Sequence, residues 1–165
     1  MRALPRVMAI AAAGAVAACV PAEPRPHPRP APRNIAPTRV TLMLLETRDS
    51  DFDLAPDTFV LDIVLFSEFE SPLPVRPSGS MRFELVGADD AVLGFWEVPA
   101  PALAAVQRKT ALGLDGYRVS LSMRAAGIED DVPPQGARVR AVFTPEGVDG
   151  PAATGETPVR LGFSQ

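Results

Sequence analysis

The chain has 165 residues, enough for one core and short for two, and carries 19 prolines, one tryptophan and one tyrosine; this suits a loop-rich β domain better than a helical bundle. Residues 1–18 hold Arg2 and Arg6, residues 19–37 hold three arginines and Glu23, and residues 38–165 hold 11 basic against 19 acidic side chains, a net of −8. A domain that acidic repels phosphate backbones and anionic lipid surfaces, which argues against nucleic acid as a partner.

Residues 1–18 have the parts of a removable secretory leader: Arg2 and Arg6 in front, an apolar stretch from Val7 to Ala18, and small residues at its close. The apolar run falls well short of the roughly 20 residues a membrane-crossing helix needs. The chain's only cysteine, Cys19, follows directly in Val16-Ala17-Ala18-Cys19. This stretch resembles the lipobox of bacterial lipoproteins. The resemblance implies cleavage before Cys19, a diacylglyceryl group on its sulfur and a further acyl chain on the new amino terminus. More than one chain is physically required, because a single acyl chain holds a protein to a membrane only marginally. Val20 is not the aspartate that retains such proteins at the inner membrane, so the resemblance points to the outer membrane of a diderm bacterium, with the domain on its periplasmic or surface side. The alternative is an ordinary signal peptide and a secreted soluble domain.

Between residues 21 and 37, seven of 17 residues are proline, interleaved with Arg25, His27, Arg29 and Arg33. Such a segment is an extended polyproline II spacer, and 18 residues from Val20 to Pro37 reach roughly 55 Å. It reads as a tether, with contact of its arginines to anionic lipid or peptidoglycan as the sharper alternative.

From Thr38 the pattern is of short strands broken by turns. Residues 38–48 place Val40, Leu42 and Leu44 on one face; residues 58–66 place Phe59, Leu61, Ile63 and Leu65 on one face with Asp62 opposite. Residues 80–98 form a hairpin, with Met81, Phe83 and Leu85 in phase, a turn at Gly87 to Asp90, and a second strand from Leu93. Residues 99–110 allow one short helix, and residues 117–123, 137–143 and 158–163 complete seven strands. The segment from Ser71 to Ser80 reads as a Pro-rich loop, either a partner contact or a plain connection. Seven alternating strands over residues 38–165 predict an all-β, antiparallel two-sheet sandwich of immunoglobulin-like topology. Asp115-Gly116-Tyr117-Arg118-Val119 resembles the turn-plus-tyrosine opening of a late strand in immunoglobulin-like and fibronectin-like domains, which implies a tyrosine locking a corner through backbone.

The domain contains no histidine and no cysteine, since His27 is in the linker and Cys19 is the expected lipid site. This removes Ser-His-Asp and Cys-His constellations and thiolate or imidazole zinc sites. Lys109, the sole lysine, sits beside Arg108 in a polar patch rather than a desolvated one. No enzymatic activity is expected. Asp49, Asp51, Asp53 and Asp57 could converge on calcium through oxygen ligands, with Glu129, Asp130 and Asp131 as further donors. Leu54 and Val60 replace the glycine and glutamate of an EF-hand, so that motif is rejected; the bland reading is acidic loop tips that solubilise and blunt edge pairing. Trp96 is either core or a platform for carbohydrate or protein. The sequence therefore predicts a lipid-anchored envelope lipoprotein whose sandwich is a non-catalytic binding module for an envelope protein or polysaccharide. A passive structural component is the alternative, followed by a calcium-stabilised adhesion-type module.

Overall fold

Alternation of apolar and polar residues becomes strand pairing throughout the computed structural model, which describes residues 32–50, 56–129 and 132–162. Among these residues are β1 (Arg39–Arg48), β2 (Thr58–Ser67), β3 (Ser71–Val75), β4 (Gly79–Val86), β5 (Val92–Val98), β6 (Gln107–Lys109), β7 (Asp115–Ser122), β8 (Gln135–Pro145) and β9 (Ala153–Leu161). A short helix, α1 (Ala100–Ala105), and a 3-10 turn (Arg124–Ala126) connect some of them. Two antiparallel sheets result: β1-β2-β7-β6, with β3 also paired to β2, and β5-β4-β8-β9. This is the A-B-E-D and G-F-C-C′ order of immunoglobulin-like domains, with β3 added in the connection between the B and C positions.

The core lies between the sheets. Phe59, Leu61, Ile63 and Leu65 of β2 meet Met81, Phe83 and Leu85 of β4 and Val139, Ala141 and Phe143 of β8 in one buried cluster, each large side chain contributing about 1.5–3 kcal/mol by leaving water. On one side the edge strands β1 and β9 nearly touch. A Cβ on Gly155 would stand 1.9 Å from the Val40 carbonyl oxygen, so only glycine permits that approach. On the other side Trp96 of β5 reaches across and its Nε1 donates to the Ser122 carbonyl of β7 at 2.7 Å. Trp96 is thus buried in the core and is not an exposed platform.

Four features depart from the sequence expectation. There are two further strands, for nine among the described residues. The supposed loop from Ser71 contains β3, which pairs with β2 at Ser67↔Ser71 and Leu65↔Val75 despite Pro72 and Pro74. The helix stops at Ala105, because Gln107 to Lys109 pair with Tyr117 to Asp115 and draw the chain into β6. Tyr117 is near the start of β7, in the E position, and its hydroxyl makes no backbone hydrogen bond. The corner lock is therefore absent.

The chain is already on the sandwich before Thr38. Arg76 N–H donates to the Pro32 carbonyl at 2.7 Å, Ile35 packs against the core, and Pro37 is buried. The strand registers put residues 32–38, α1 and the starts of β4 and β7 at one end of the sandwich. The β1–β2 connection, the β4–β5 turn and the 3-10 turn lie at the other.

Candidate functional site

At the end where residues 32–38 join the domain, a pocket of about 300 Å³ opens between the incoming chain, the β3–β4 connection, α1 and the starts of β6 and β7. Its polar lining is Arg33, Arg76, Ser78, Gln107 and Tyr117, and its apolar wall is the Ala100, Leu103 and Ala104 side of α1. Pro99 precedes α1 and a proline occupies its first turn, positions where a missing N–H costs nothing, and burial of Leu103 turns this side of the helix inward.

Tyr117 reaches the pocket because it is in phase with Val119 and Leu121, all three facing the core. It is 1% exposed, yet its hydroxyl has no hydrogen-bond partner. Gln107, across the β6–β7 pair, is a polar neighbour that does not close a bond of normal geometry. Burial pushes the Tyr117 hydroxyl above its ordinary value, with Arg76 and Gln107 opposing, so it stands as a neutral O–H donor at physiological pH. Arg76 Nε is likewise buried without a partner. Its Nη1 stands 3.7 Å from Asp115 Oδ1, an oxygen that Lys109 Nζ holds more closely at 2.9 Å. One carboxylate is thus shared by two cations, and Arg33 is a second arginine in the pocket lining. Three buried polar side-chain atoms among the described residues lack a partner, and two of them, Arg76 Nε and Tyr117 Oη, line this pocket; the other is Ser67 Oγ. Native proteins leave few such groups unpaired, and each marks either an exchangeable water or a ligand.

The described residues that the sequence offers as metal ligands lie elsewhere. Cys19, Asp51, Asp53, Asp130 and Asp131 are outside the described residues. Asp49 and Asp57 flank the β1–β2 connection, at the opposite end from the pocket. Asp57 is buried and accepts from Ser50 N–H at 3.2 Å and from the Ser50 hydroxyl. Burial opposes its ionisation, but the bonds from Ser50 and the Thr58 side chain outweigh that and hold the carboxyl below its ordinary value. Its oxygens are occupied in closing the hairpin. No group of three or more metal-ligating side chains forms among the described residues. Lys109 is half-exposed and paired with Asp115.

Other surfaces carry chemistry already satisfied within the fold. The outer face of the second sheet is a ladder of ion pairs: Arg82 with Glu84 (3.1 Å) and Glu97 (3.6 Å), Arg140 with Glu84 (3.5 Å), and Arg138 with Glu156 (3.2 Å) and Asp90. Arg82 also lies 4.3 Å over the Phe95 ring. A larger hollow of about 520 Å³ beside it is framed by Arg82 and Glu97, which pair with each other. The pocket beside Tyr117 is distinguished by unpaired donors rather than by size.

Sequence reading missed Arg76, Gln107 and Tyr117 as a group. One signal was available: the sole tyrosine sits in the inward phase of an otherwise apolar strand, where a buried hydroxyl must find a partner. No family model matches the chain, and no curated protein or solved structure shows a significant similarity to it.

Proposed function

We propose that the chain is a lipid-anchored cell-envelope protein whose sandwich is a non-catalytic binding module held close to the membrane. The observation that carries the reading is the position of Cys19, which ends an apolar leader and starts a proline-rich segment. Packing of residues 32–37 against the sandwich supports a short tether. Twelve residues, 20–31, then separate Cys19 from the docked chain, and a polyproline II segment of that length reaches about 37 Å. No helix among the described residues is long and apolar enough to cross a membrane. In this reading the acyl chains on Cys19 carry the attachment. The outer membrane is the destination by the absence of aspartate after Cys19, and an envelope protein or polysaccharide is the partner class.

The binding role draws support from the pocket and its two unpaired donors. Absence of histidine and cysteine from residues 38–165 favours recognition over catalysis. A passive structural role is the second reading, favoured by the ion-paired outer face of the second sheet. The decisive measurement is the intact mass of the protein extracted from its native membrane, beside Cys19→Ala. The expected mass is that of residues 19–165 plus acyl chains, with the variant lost to the soluble fraction. An unmodified mass in the soluble fraction from the wild type would sink the anchor.

A further inference from the structure

We propose that the pocket beside Tyr117 binds a small ligand through a carboxylate, with an alanine-sized aliphatic group seated against α1. The chemical class is an aliphatic amino acid derivative or the free carboxyl end of a short peptide. The inference deepens the reading of the domain as a binding module and does not depend on the anchor.

Charge selects an anion. Arg33 and Arg76 are the charged side chains of the pocket lining, and the carboxylate nearest Arg76, Asp115 at 3.7 Å, is held more closely by Lys109 at 2.9 Å. Shape selects a carboxylate among anions. The Nε edge of a guanidinium offers two parallel N–H donors in one plane, a match for the two oxygens of a carboxylate, and Arg76 Nε is the donor left without a partner. The neutral Tyr117 hydroxyl supplies a further donor from a side chain 1% exposed. Desolvation then fixes the rest of the ligand. The apolar part of the lining is Ala100, Leu103 and Ala104, and a phosphate oxygen turned toward it would be buried with no donor, at about 1–3 kcal/mol. A methyl or short alkyl group loses nothing there. The space of about 300 Å³ exceeds the roughly 30 Å³ share of one water several-fold, so filling it takes more than one exchangeable solvent molecule.

Two donors left unpaired in a buried site are costly in the empty protein, and a carboxylate removes both costs at once. Arg33 belongs to the chain that joins the domain from the Pro-rich side, and the adjacent Pro32 carbonyl accepts from Arg76 N–H. The pocket is therefore complete only when that segment lies on the sandwich.

The test is calorimetric titration of the full-length chain with N-acetyl-dialanine, its C-terminal amide, and inorganic phosphate. Saturable binding of the acid, and little of the amide or phosphate, is expected. Tyr117→Phe removes only an unpaired hydroxyl; it should leave the thermal midpoint of the free protein in place and weaken binding of the acid about tenfold, the size of one charge-assisted hydrogen bond. Arg76→Gln should abolish binding at the same concentrations. No saturable heat from the acid at about 10 mM, equal binding of acid and amide, tighter binding of phosphate, or an unchanged affinity in Tyr117→Phe would each overturn the proposal. Equal co-purification of an envelope protein or polysaccharide with wild type and Tyr117→Phe, without binding of the acid, would overturn the pocket and leave the binding-module reading standing.

Discussion

Tyr117 and Arg118 are consecutive residues of β7, and their side chains leave the strand on opposite faces of the first sheet. Arg118 enters a closed network: Nε donates to Asp62 Oδ1 at 2.7 Å, Nη2 to Oδ2 at 2.9 Å, and Ala111 N–H also reaches Oδ2 at 2.6 Å. Tyr117 ends in the pocket without a hydrogen-bond partner. Burial opposes ionisation of Asp62, yet the bonds from Arg118 and Ala111 outweigh it and hold the carboxyl below its ordinary value. The same two strands thus carry one polar group that the fold satisfies completely and one that it leaves open. A satisfied group such as Asp62 is explained by stability alone. An open one is not, and this separates structural polar residues from candidate binding ones.

The contrast can be broken most forcefully at Arg118. Arg118→Met leaves the Asp62 carboxylate, 1% exposed, with one remaining backbone donor, and should cost about 1–3 kcal/mol of unfolding free energy, the cost of a buried polar group short of partners. Combining it with Asp62→Leu should restore most of that loss, because an apolar pair avoids the desolvation of both charges. A double variant as unstable as the single one would show that the network does more than hold its own charge.

Acid is the next probe. Asp57 and Asp62 both have native carboxyls held below the ordinary value. Their stabilisation is therefore complete above the unfolded pKa of about 3.9 and fades as pH falls from there through the lower native values. Unfolding free energy should decline below about pH 4, and Asp62→Asn should flatten that slope. A decline that is equally steep in the variant would assign the acid sensitivity to other carboxylates.

Tyr117→Phe is the smallest expected effect on stability, within about 0.5 kcal/mol of wild type, with a slight gain favoured because a buried unpaired hydroxyl is removed. A loss of more than about 1 kcal/mol would mean that the hydroxyl has a structural partner, and Tyr117 would join Asp62 on the satisfied side.

Much of the fold was legible because its strands carry their own pattern. Phe59, Leu61, Ile63 and Leu65 announce β2, and Met81, Phe83 and Leu85 announce β4, since alternation over five or more residues has little other physical meaning. β3 was hidden by Pro72 and Pro74, which demote a run on sequence alone. β6 was hidden because three residues carry no period, and its existence depends on pairing with Asp115 to Tyr117. Asp62 was legible as facing away from the core but not as buried; the β6–β7 turn that brings Ala111 over it is a tertiary event. The pocket was the least legible feature. Its lining runs from Arg33 through Arg76 and α1 to Tyr117, and no spacing along the chain encodes such an assembly.

The reach of Trp96 across the open side of the sandwich also has a spectroscopic use. It is the sole tryptophan, it is buried, and its indole N–H bonds from one sheet to a carbonyl of the other. Separation of the sheets exposes that indole to water and ends the bond in the same event. The chain therefore carries an unlabelled optical reporter at the junction of its two halves, and a red shift in emission marks the moment at which they part.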